Sequence, residues 1–175
     1  MILKNIKIFS QNVHKNNFII NTIFEIHNSY NIIFIQELSW STIWFILSSI
    51  NKKDKELVEV SNHSNWITFS KNLSYIGDLP RVITYINVRL SSLCFSLWKD
   101  IFNYKNISCV SFFNCGLIHF LINIYLDSSQ LVFKYLKDTE VNISSILIMA
   151  SNFNIRNSIW NPNFPHHLLH SDIFF

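Results

Sequence analysis

One stretch of the chain decides its fold class, namely Asn31-Ile32-Ile33-Phe34-Ile35-Gln36-Glu37. It is a continuous apolar run that ends abruptly in an amide and a carboxylate. A strand that is buried on both faces has this pattern, because neither of its faces is lined with polar residues. The run therefore predicts a strand that is covered on both sides, with Glu37 at its carboxyl end.

The residues before this run predict a strand followed by a helix. Side chains over 6–10 alternate between two faces, with Ile6 and Ile8 on one face and Phe9 on the other, and Gln11-Asn12-Val13 closes the strand. Over 15–29, apolar residues recur at three- and four-residue steps, which is the period of an amphipathic helix. A strand, a helix and a strand in this order predict a βαβ unit.

The rest of the chain mixes short strands with one further helix. Runs of β-branched and aromatic residues predict strands over 65–70, 81–90, 92–98, 107–113 and 117–125, and Asn114-Cys115-Gly116 fits a hairpin turn. A helix is predicted over 129–142, and a buried strand over 146–149 continues into 150–154. No internal repeat and no long linker divides the chain, so residues 1–175 are expected to form a single domain. The mixture predicts an α/β sandwich with helices packed outside sheets.

The composition excludes two classes of protein. Of the 175 residues, 49% are hydrophobic and 14% are charged, whereas a disordered chain has low hydrophobicity and high charge. Three cysteines are too few for a disulfide scaffold, and we expect Cys94, Cys109 and Cys115 to be buried as small hydrophobic residues. The formal net charge of +3 comes with scattered lysines, which permits a phosphate-bearing partner without requiring one.

Two apolar segments, 32–47 and 110–126, leave a small membrane-associated protein open as an alternative. Both are short for a membrane span, which needs about 20 apolar residues, and both contain polar side chains. The first apolar stretch alternates and does not form the hydrophobic block of a signal peptide. We therefore expect an intracellular protein, nuclear or cytoplasmic, without a membrane partner.

Polar residues stand where several predicted strands end. In a layered α/β domain the carboxyl ends of the strands collect at one edge, and ligands bind there. The alternative is that each polar residue only marks the point where its strand leaves the core. The candidate site residues are Asn12, Glu37, Tyr125, Asn152 and Asn154.

In their order along the chain, these residues resemble the motifs of the endonuclease/exonuclease/phosphatase superfamily, and within it the endonuclease domain of non-LTR retrotransposons. Gln11-Asn12-Val13 looks like the first motif, and Ile33-Phe34-Ile35-Gln36-Glu37 looks like the second, which contributes the metal-holding glutamate. Asn123-Ile124-Tyr125 is similar to the NxY motif, whose tyrosine reaches the scissile phosphate. Ser151-Asn152-Phe153-Asn154 stands where the family has GDFN.

The resemblance implies a four-layered α/β/β/α sandwich of two mixed sheets flanked by helices. It also implies Mg²⁺-dependent hydrolysis of DNA phosphodiester bonds, with Mg²⁺ or Mn²⁺ held by Glu37 and Asn12. Carboxylate oxygen is a ligand that Mg²⁺ prefers. Tyr125 and Asn154 would stabilise the charge that builds on phosphorus. In an intact element, a reverse transcriptase domain would follow on the same polypeptide.

Two departures from the family pattern argue against activity. Asn152 replaces the GDFN aspartate, and an amide cannot accept a proton as a carboxylate does, which typically costs about 10²–10⁴-fold in rate. The family's final SDH motif is absent, because the chain stops at Phe175 before the late strand that carries it. We therefore expect a degenerate, truncated copy that lacks its last strands and has little or no nuclease activity.

A second hypothesis keeps the fold but assigns it to a non-catalytic module that binds DNA or a phosphate. A local histidine cluster suggests a metal site by its spacing, but it lies in a proline-containing loop without a partnering carboxylate, and we assign it no role. Its members are His166, His167 and His170.

Overall fold

The computed structural model describes residues 6–26, 29–38, 65–70, 80–98, 104–126, 131–138 and 146–153. Within these ranges the chain forms eight strands and two α-helices. The strands are β1 (Ile8–Asn12), β2 (Ile32–Gln36), β3 (Trp66–Phe69), β4 (Val82–Asn87), β5 (Ser96–Leu97), β6 (Ile107–Asn114), β7 (Leu117–Leu126) and β8 (Ile146–Phe153). The helices are α1 (Asn17–Ile26) and α2 (Leu131–Asp138).

The first four strands form sheet A, in the order β1-β2-β4-β3. β1 and β2 are parallel and are joined through α1, which confirms the predicted βαβ unit. The helix begins after Asn16, whose Oδ1 accepts a hydrogen bond from the backbone N–H of Phe18 at 3.0 Å. β4 runs antiparallel to both β2 and β3. The amino end of β4 therefore lies beside the carboxyl end of β2.

The last four strands form sheet B, in the order β5-β6-β7-β8. β6 and β7 form a hairpin, and its two turn residues, Cys115 and Gly116, have φ angles of 51° and 82°. Two positive φ angles define the type I′ turn, whose twist matches that of the flanking strands. β8 is parallel to β7, so sheet B repeats the arrangement of sheet A, with one parallel pair at an edge and two antiparallel pairs after it.

The two sheets pack face to face, and within the described ranges each is covered by one helix on its outer face. α1 covers sheet A, α2 covers sheet B, and the largest apolar side chains lie between the sheets or beneath these helices. The molecule is therefore an α/β/β/α sandwich. No helix in the described ranges is long and apolar enough to cross a membrane. The core residues between the sheets include Ile32, Phe34, Phe69, Ile86, Val110, Phe112 and Leu121.

The structure corrects the predictions between β4 and β6. Strands were predicted over 81–90 and 92–98, but β4 ends at Asn87, and a 3-10 helix (Val88–Leu93) leaves only two residues for β5. The Asn87 side chain accepts a hydrogen bond from the backbone N–H of Arg89 at 3.1 Å, which caps this 3-10 helix and ends the strand.

The cysteine prediction was correct for one residue of three. Cys109 is buried beneath α2, whereas Cys94 and Cys115 are exposed. Cys94 caps the carboxyl end of the 3-10 helix and Cys115 lies in the turn between β6 and β7, so both are outside the buried strands. Burial raises the pKa of the Cys109 thiol to about 12.

Candidate functional site

The strand ends of sheet A bring one amide and one carboxylate together with an arginine. Asn12, the last residue of β1, lies opposite Gln36, the last residue of β2. Gln36 in turn lies opposite Val82, the first residue of β4. Glu37 and Arg81, the next residues outward on these two strands, are therefore neighbours at the edge of the sheet.

The strand ends of sheet B add a tyrosine. Tyr125 is near the carboxyl end of β7 and lies opposite Asn152 of β8. β7 packs against β2 and β4, so Tyr125 comes next to Arg81. We name the described groups that meet here the site edge, and they are Asn12, His14, Glu37, Arg81 and Tyr125.

Glu37 has both carboxylate oxygens beside basic side chains. Its Oε2 is 3.2 Å from His14 Nδ1, and its Oε1 is 3.8 Å from Arg81 Nη2. The glutamate itself follows β2 with a φ of 57°, in the left-handed region that residues other than glycine rarely adopt. Its carbonyl oxygen accepts a hydrogen bond from the backbone N–H of Lys15 at 2.8 Å, which holds this backbone conformation in place.

Arg81 joins the two sheets at the site edge. Its guanidinium carbon lies 4.1 Å from the centre of the Tyr125 ring, and its Nη2 donates a hydrogen bond to the Tyr125 hydroxyl at 3.1 Å. Its backbone N–H donates to the carbonyl of Lys105, in the turn before β6, at 2.8 Å. A planar guanidinium can stack on a phenol ring and pair with a carboxylate at once, and this arginine does both.

Asn12 presents a buried donor at the same edge. Its Oδ1 accepts a hydrogen bond from the backbone N–H of His14 at 2.8 Å, whereas its Nδ2 is buried and has no hydrogen-bond partner among the described residues. Leaving a buried donor without a partner costs about 1–3 kcal/mol. An acceptor oxygen from a bound ligand would remove that cost.

A buried pair of amides lies directly beneath the site edge. Gln36 Nε2 donates to Asn123 Oδ1 at 2.8 Å and to Ser10 Oγ at 3.0 Å. Asn123 Nδ2 donates to the carbonyl oxygens of Ile35 at 3.2 Å and Ile83 at 2.8 Å. The three bonds of Asn123 cross from sheet B to sheet A and connect the strands that bear Glu37 and Tyr125.

The structure places three of the predicted site residues at one edge, namely Asn12, Glu37 and Tyr125. Asn152 is on β8 opposite Tyr125. Asn154 lies outside the described residues, as do the three histidines of the local cluster.

Sequence reasoning assigned no site role to Arg81 or His14. The sequence feature that could have indicated Arg81 was a cation directly before a strand whose side chains alternate between two faces. The direction of β4, which brings Arg81 to the same edge as Glu37, is visible only in the fold.

Among the described residues, no second carboxylate joins Glu37 at the site edge as a ligand for a divalent cation. The described residues contain three carboxylates, Glu25, Glu37 and Asp138, and no group of three or more His, Cys, Asp or Glu side chains among them could hold a metal. Both oxygens of Glu37 face basic groups, and the side-chain oxygen of Asn12 accepts a backbone hydrogen bond. The expected Mg²⁺ or Mn²⁺ stays a prediction.

No protein-family model matches the chain, and no curated protein matches it. Among solved structures, the chain is similar to the endonuclease domain of TRAS1, a telomere-specific non-LTR retrotransposon, with a TM-score of 0.56 and 13% sequence identity. The two share a fold. The similarity covers 86% of this chain and 60% of the TRAS1 domain, so this chain spans less than two thirds of that domain's length. The endonuclease-like sandwich that the motifs predicted is thereby confirmed.

Proposed function

We propose that this chain is an endonuclease-like domain of retrotransposon origin that binds DNA at the site edge and cleaves it weakly or not at all. The observation that carries the proposal is the meeting of Asn12, Glu37 and Tyr125, from both sheets, at one edge of a fold shared with a retrotransposon endonuclease domain. In an intact element of this kind, a reverse transcriptase domain would lie on the same polypeptide.

The side chains of the site edge are better suited to binding a phosphate than to hydrolysing a phosphodiester bond. The Asn12 amide and the Tyr125 hydroxyl are hydrogen-bond donors, and phosphate oxygens accept from both. Hydrolysis further needs a group that activates water. Asn152 supplies an amide where the family has a carboxylate, and the carboxylate of Glu37 lies between two basic groups.

The same observations favour a second candidate function, a non-catalytic DNA-binding module with the same fold. Arg81 and His14 flank Glu37, so the carboxylate is already neutralised in part without a metal ion. This candidate differs from a weakened nuclease, the active form of the first, in predicting binding with no cleavage under any condition.

A plasmid-nicking assay tests the proposal. Supercoiled plasmid incubated with the purified protein and Mg²⁺ is expected to stay supercoiled or to be nicked only slowly. The Glu37→Ala variant is expected to remove whatever nicking the wild-type protein shows. Glu25→Ala, which changes an exposed glutamate on α1, is the matched control and is expected to leave nicking unchanged.

Rapid nicking that Glu37→Ala abolishes and Glu25→Ala preserves would contradict the expected loss of activity. Slow nicking that depends on Glu37 supports the first candidate, a weakened nuclease. Binding of DNA without any nicking supports the second.

A further inference from the structure

Arg81 is a cation held in a fixed position beside solvent. Its guanidinium is stacked on the Tyr125 ring, donates to the Tyr125 hydroxyl and approaches Glu37, and yet 27% of its side chain is exposed. Because these contacts already restrict its rotamers, it loses little further freedom when it binds an anion. A fixed and accessible guanidinium is a preformed recognition group for a phosphate.

The charges around Arg81 favour an anion. Among the described residues here, Glu37 is negative, whereas Arg81 and the exposed Lys15 are positive, and His14 adds positive charge when it is protonated. The glutamate lowers the attraction for a phosphate but does not cancel it. Glu37 therefore weakens the binding of a phosphate, whereas a glutamate that holds a metal ion would strengthen it.

Arg81 also fixes the position of the Tyr125 hydroxyl. Its Nη2 donates to the phenolic oxygen at 3.1 Å, which holds this hydroxyl at the site edge. The buried Nδ2 of Asn12 is a second donor at this edge, and in the part of the chain that the structure describes no group accepts a hydrogen bond from it. A phosphate at the site edge would thus meet one cation and two neutral donors.

We propose that the site edge binds a DNA phosphate through Arg81 and without a divalent cation, with Tyr125 and Asn12 as additional donors. This inference rests on the proposed function, since it names the group that would recognise the DNA. It differs from the metal-dependent mode that the sequence motifs imply, because the cation that faces Glu37 belongs to the protein itself.

Fluorescence anisotropy with a short fluorescein-labelled DNA duplex tests the inference, in buffer that contains EDTA and at several salt concentrations. Wild-type protein is expected to bind in EDTA, and Arg81→Gln is expected to bind about tenfold more weakly, as the loss of a charged hydrogen bond predicts. The slope of log affinity against log salt should fall by about one, because one phosphate contact is lost. Arg81→Lys keeps the charge and should retain the slope.

Two further variants make the test specific. Arg89→Gln makes the same charge change just beyond the opposite end of β4, where Arg89 bonds to Asn87 and the Tyr30 carbonyl, and it should leave the slope unchanged. Glu37→Gln removes the negative charge and should strengthen binding in EDTA several-fold. If Arg81 only supported the fold, Glu37→Gln would not strengthen DNA binding, because this substitution also removes an ion-pair contact of Arg81.

Binding that requires Mg²⁺ and disappears in EDTA would overturn this inference and leave the proposed function standing. Equal salt slopes for Arg81→Gln and Arg89→Gln would also overturn it. No binding in either buffer would overturn the proposed function as well. If Arg81→Gln fails to fold, the two other variants still test the inference. Arg81→Lys should keep the salt slope of the wild-type protein, and Glu37→Gln should bind DNA more strongly in EDTA.

Discussion

Asn123 shows how one buried amide can fix the relative position of two sheets. It is fully buried, accepts a hydrogen bond from Gln36 and donates to the carbonyl oxygens of Ile35 and Ile83. A buried amide with good partners at all of these positions specifies one docking geometry, because any shift of the sheets would leave polar atoms unpaired. Within the Asn123-Ile124-Tyr125 motif, Asn123 thus helps to fix the position of Tyr125.

Replacing Asn123 with alanine should lower the free energy of unfolding by about 3 kcal/mol or more, since several buried groups lose their partners at once. Urea unfolding followed by circular dichroism measures the change. Asn114→Ala, near the tip of the same hairpin, is the matched control and should change stability by less than about 0.5 kcal/mol. A loss for Asn123→Ala as small as that of the control would contradict the docking role.

The left-handed conformation of Glu37 is a second feature at the scale of the residue. A residue other than glycine in this region costs about 1–3 kcal/mol, and such strain persists where the surroundings enforce it. Here the enforcing contacts are the backbone hydrogen bonds from Val13 to Gln36 and from Lys15 to Glu37. They turn the glutamate toward His14 and Arg81, so its position results from the loop after β1 as much as from β2.

Among the elements, the β6–β7 hairpin depends most directly on its turn. Both Cys115 and Gly116 have positive φ angles, and nothing lies within 4 Å of the place where a Cβ would stand on Gly116. The cost of a side chain at Gly116 is therefore a backbone cost and not a clash.

Gly116→Ala should lower the free energy of unfolding by about 1 kcal/mol, the cost of placing an L-residue in a left-handed conformation. Cys115→Asn should raise it, because asparagine before glycine is the preferred sequence of a type I′ turn. Thermal unfolding of the two variants beside wild type measures both changes. An unchanged melting temperature for Gly116→Ala would show that the turn adopts another conformation.

The sequence predicted those elements whose hydrophobic pattern admits one interpretation. The alternation before Asn12 and the apolar run before Glu37 each produced the expected strand, and the polar residues that end them lie at one edge. The strand predictions were wrong over 88–90 and 92–95, where an Asn87 side chain that caps a 3-10 helix competes with a strand of similar composition. Arg81 was not predicted as a site residue, since only the antiparallel pairing of β4 brings Arg81, the residue before this strand, to the carboxyl end of β2.

At the scale of the whole molecule, each outer layer of the sandwich buries one group that ionises in alkali. Tyr85 lies in the layer under α1, where its ring packs edge-on against Phe24 with centroids 4.7 Å apart. Cys109 lies in the layer under α2. Burial raises the pKa of both groups, that of the Cys109 thiol from 9.0 to about 12.

The fold should therefore lose stability as pH rises above 9, the ordinary value of the thiol. In that range the unfolded chain releases protons that the folded chain retains, so the free energy of unfolding falls by up to about 1.4 kcal/mol per pH unit for each group. Urea unfolding from neutral pH to alkaline pH measures the slope. Cys109→Ala should make it shallower, whereas Cys115→Ala, which removes an exposed thiol, should leave it as in wild type. Equal slopes for all three proteins would contradict this account.

The two sheets come from successive parts of the chain, since β1–β4 lie within residues 8–87 and β5–β8 within 96–153. On the ribosome, sheet A is complete in sequence before any strand of sheet B has been made, because synthesis runs from the amino terminus. Its inner face, with Ile32, Phe34 and Ile86, then has no partner until β6 and β7 emerge. A nascent chain at that stage exposes an apolar sheet face and is a natural client for a chaperone. Tyr125 completes the site edge, and Asn123 completes the amide pair beneath it, only when the second sheet covers that face.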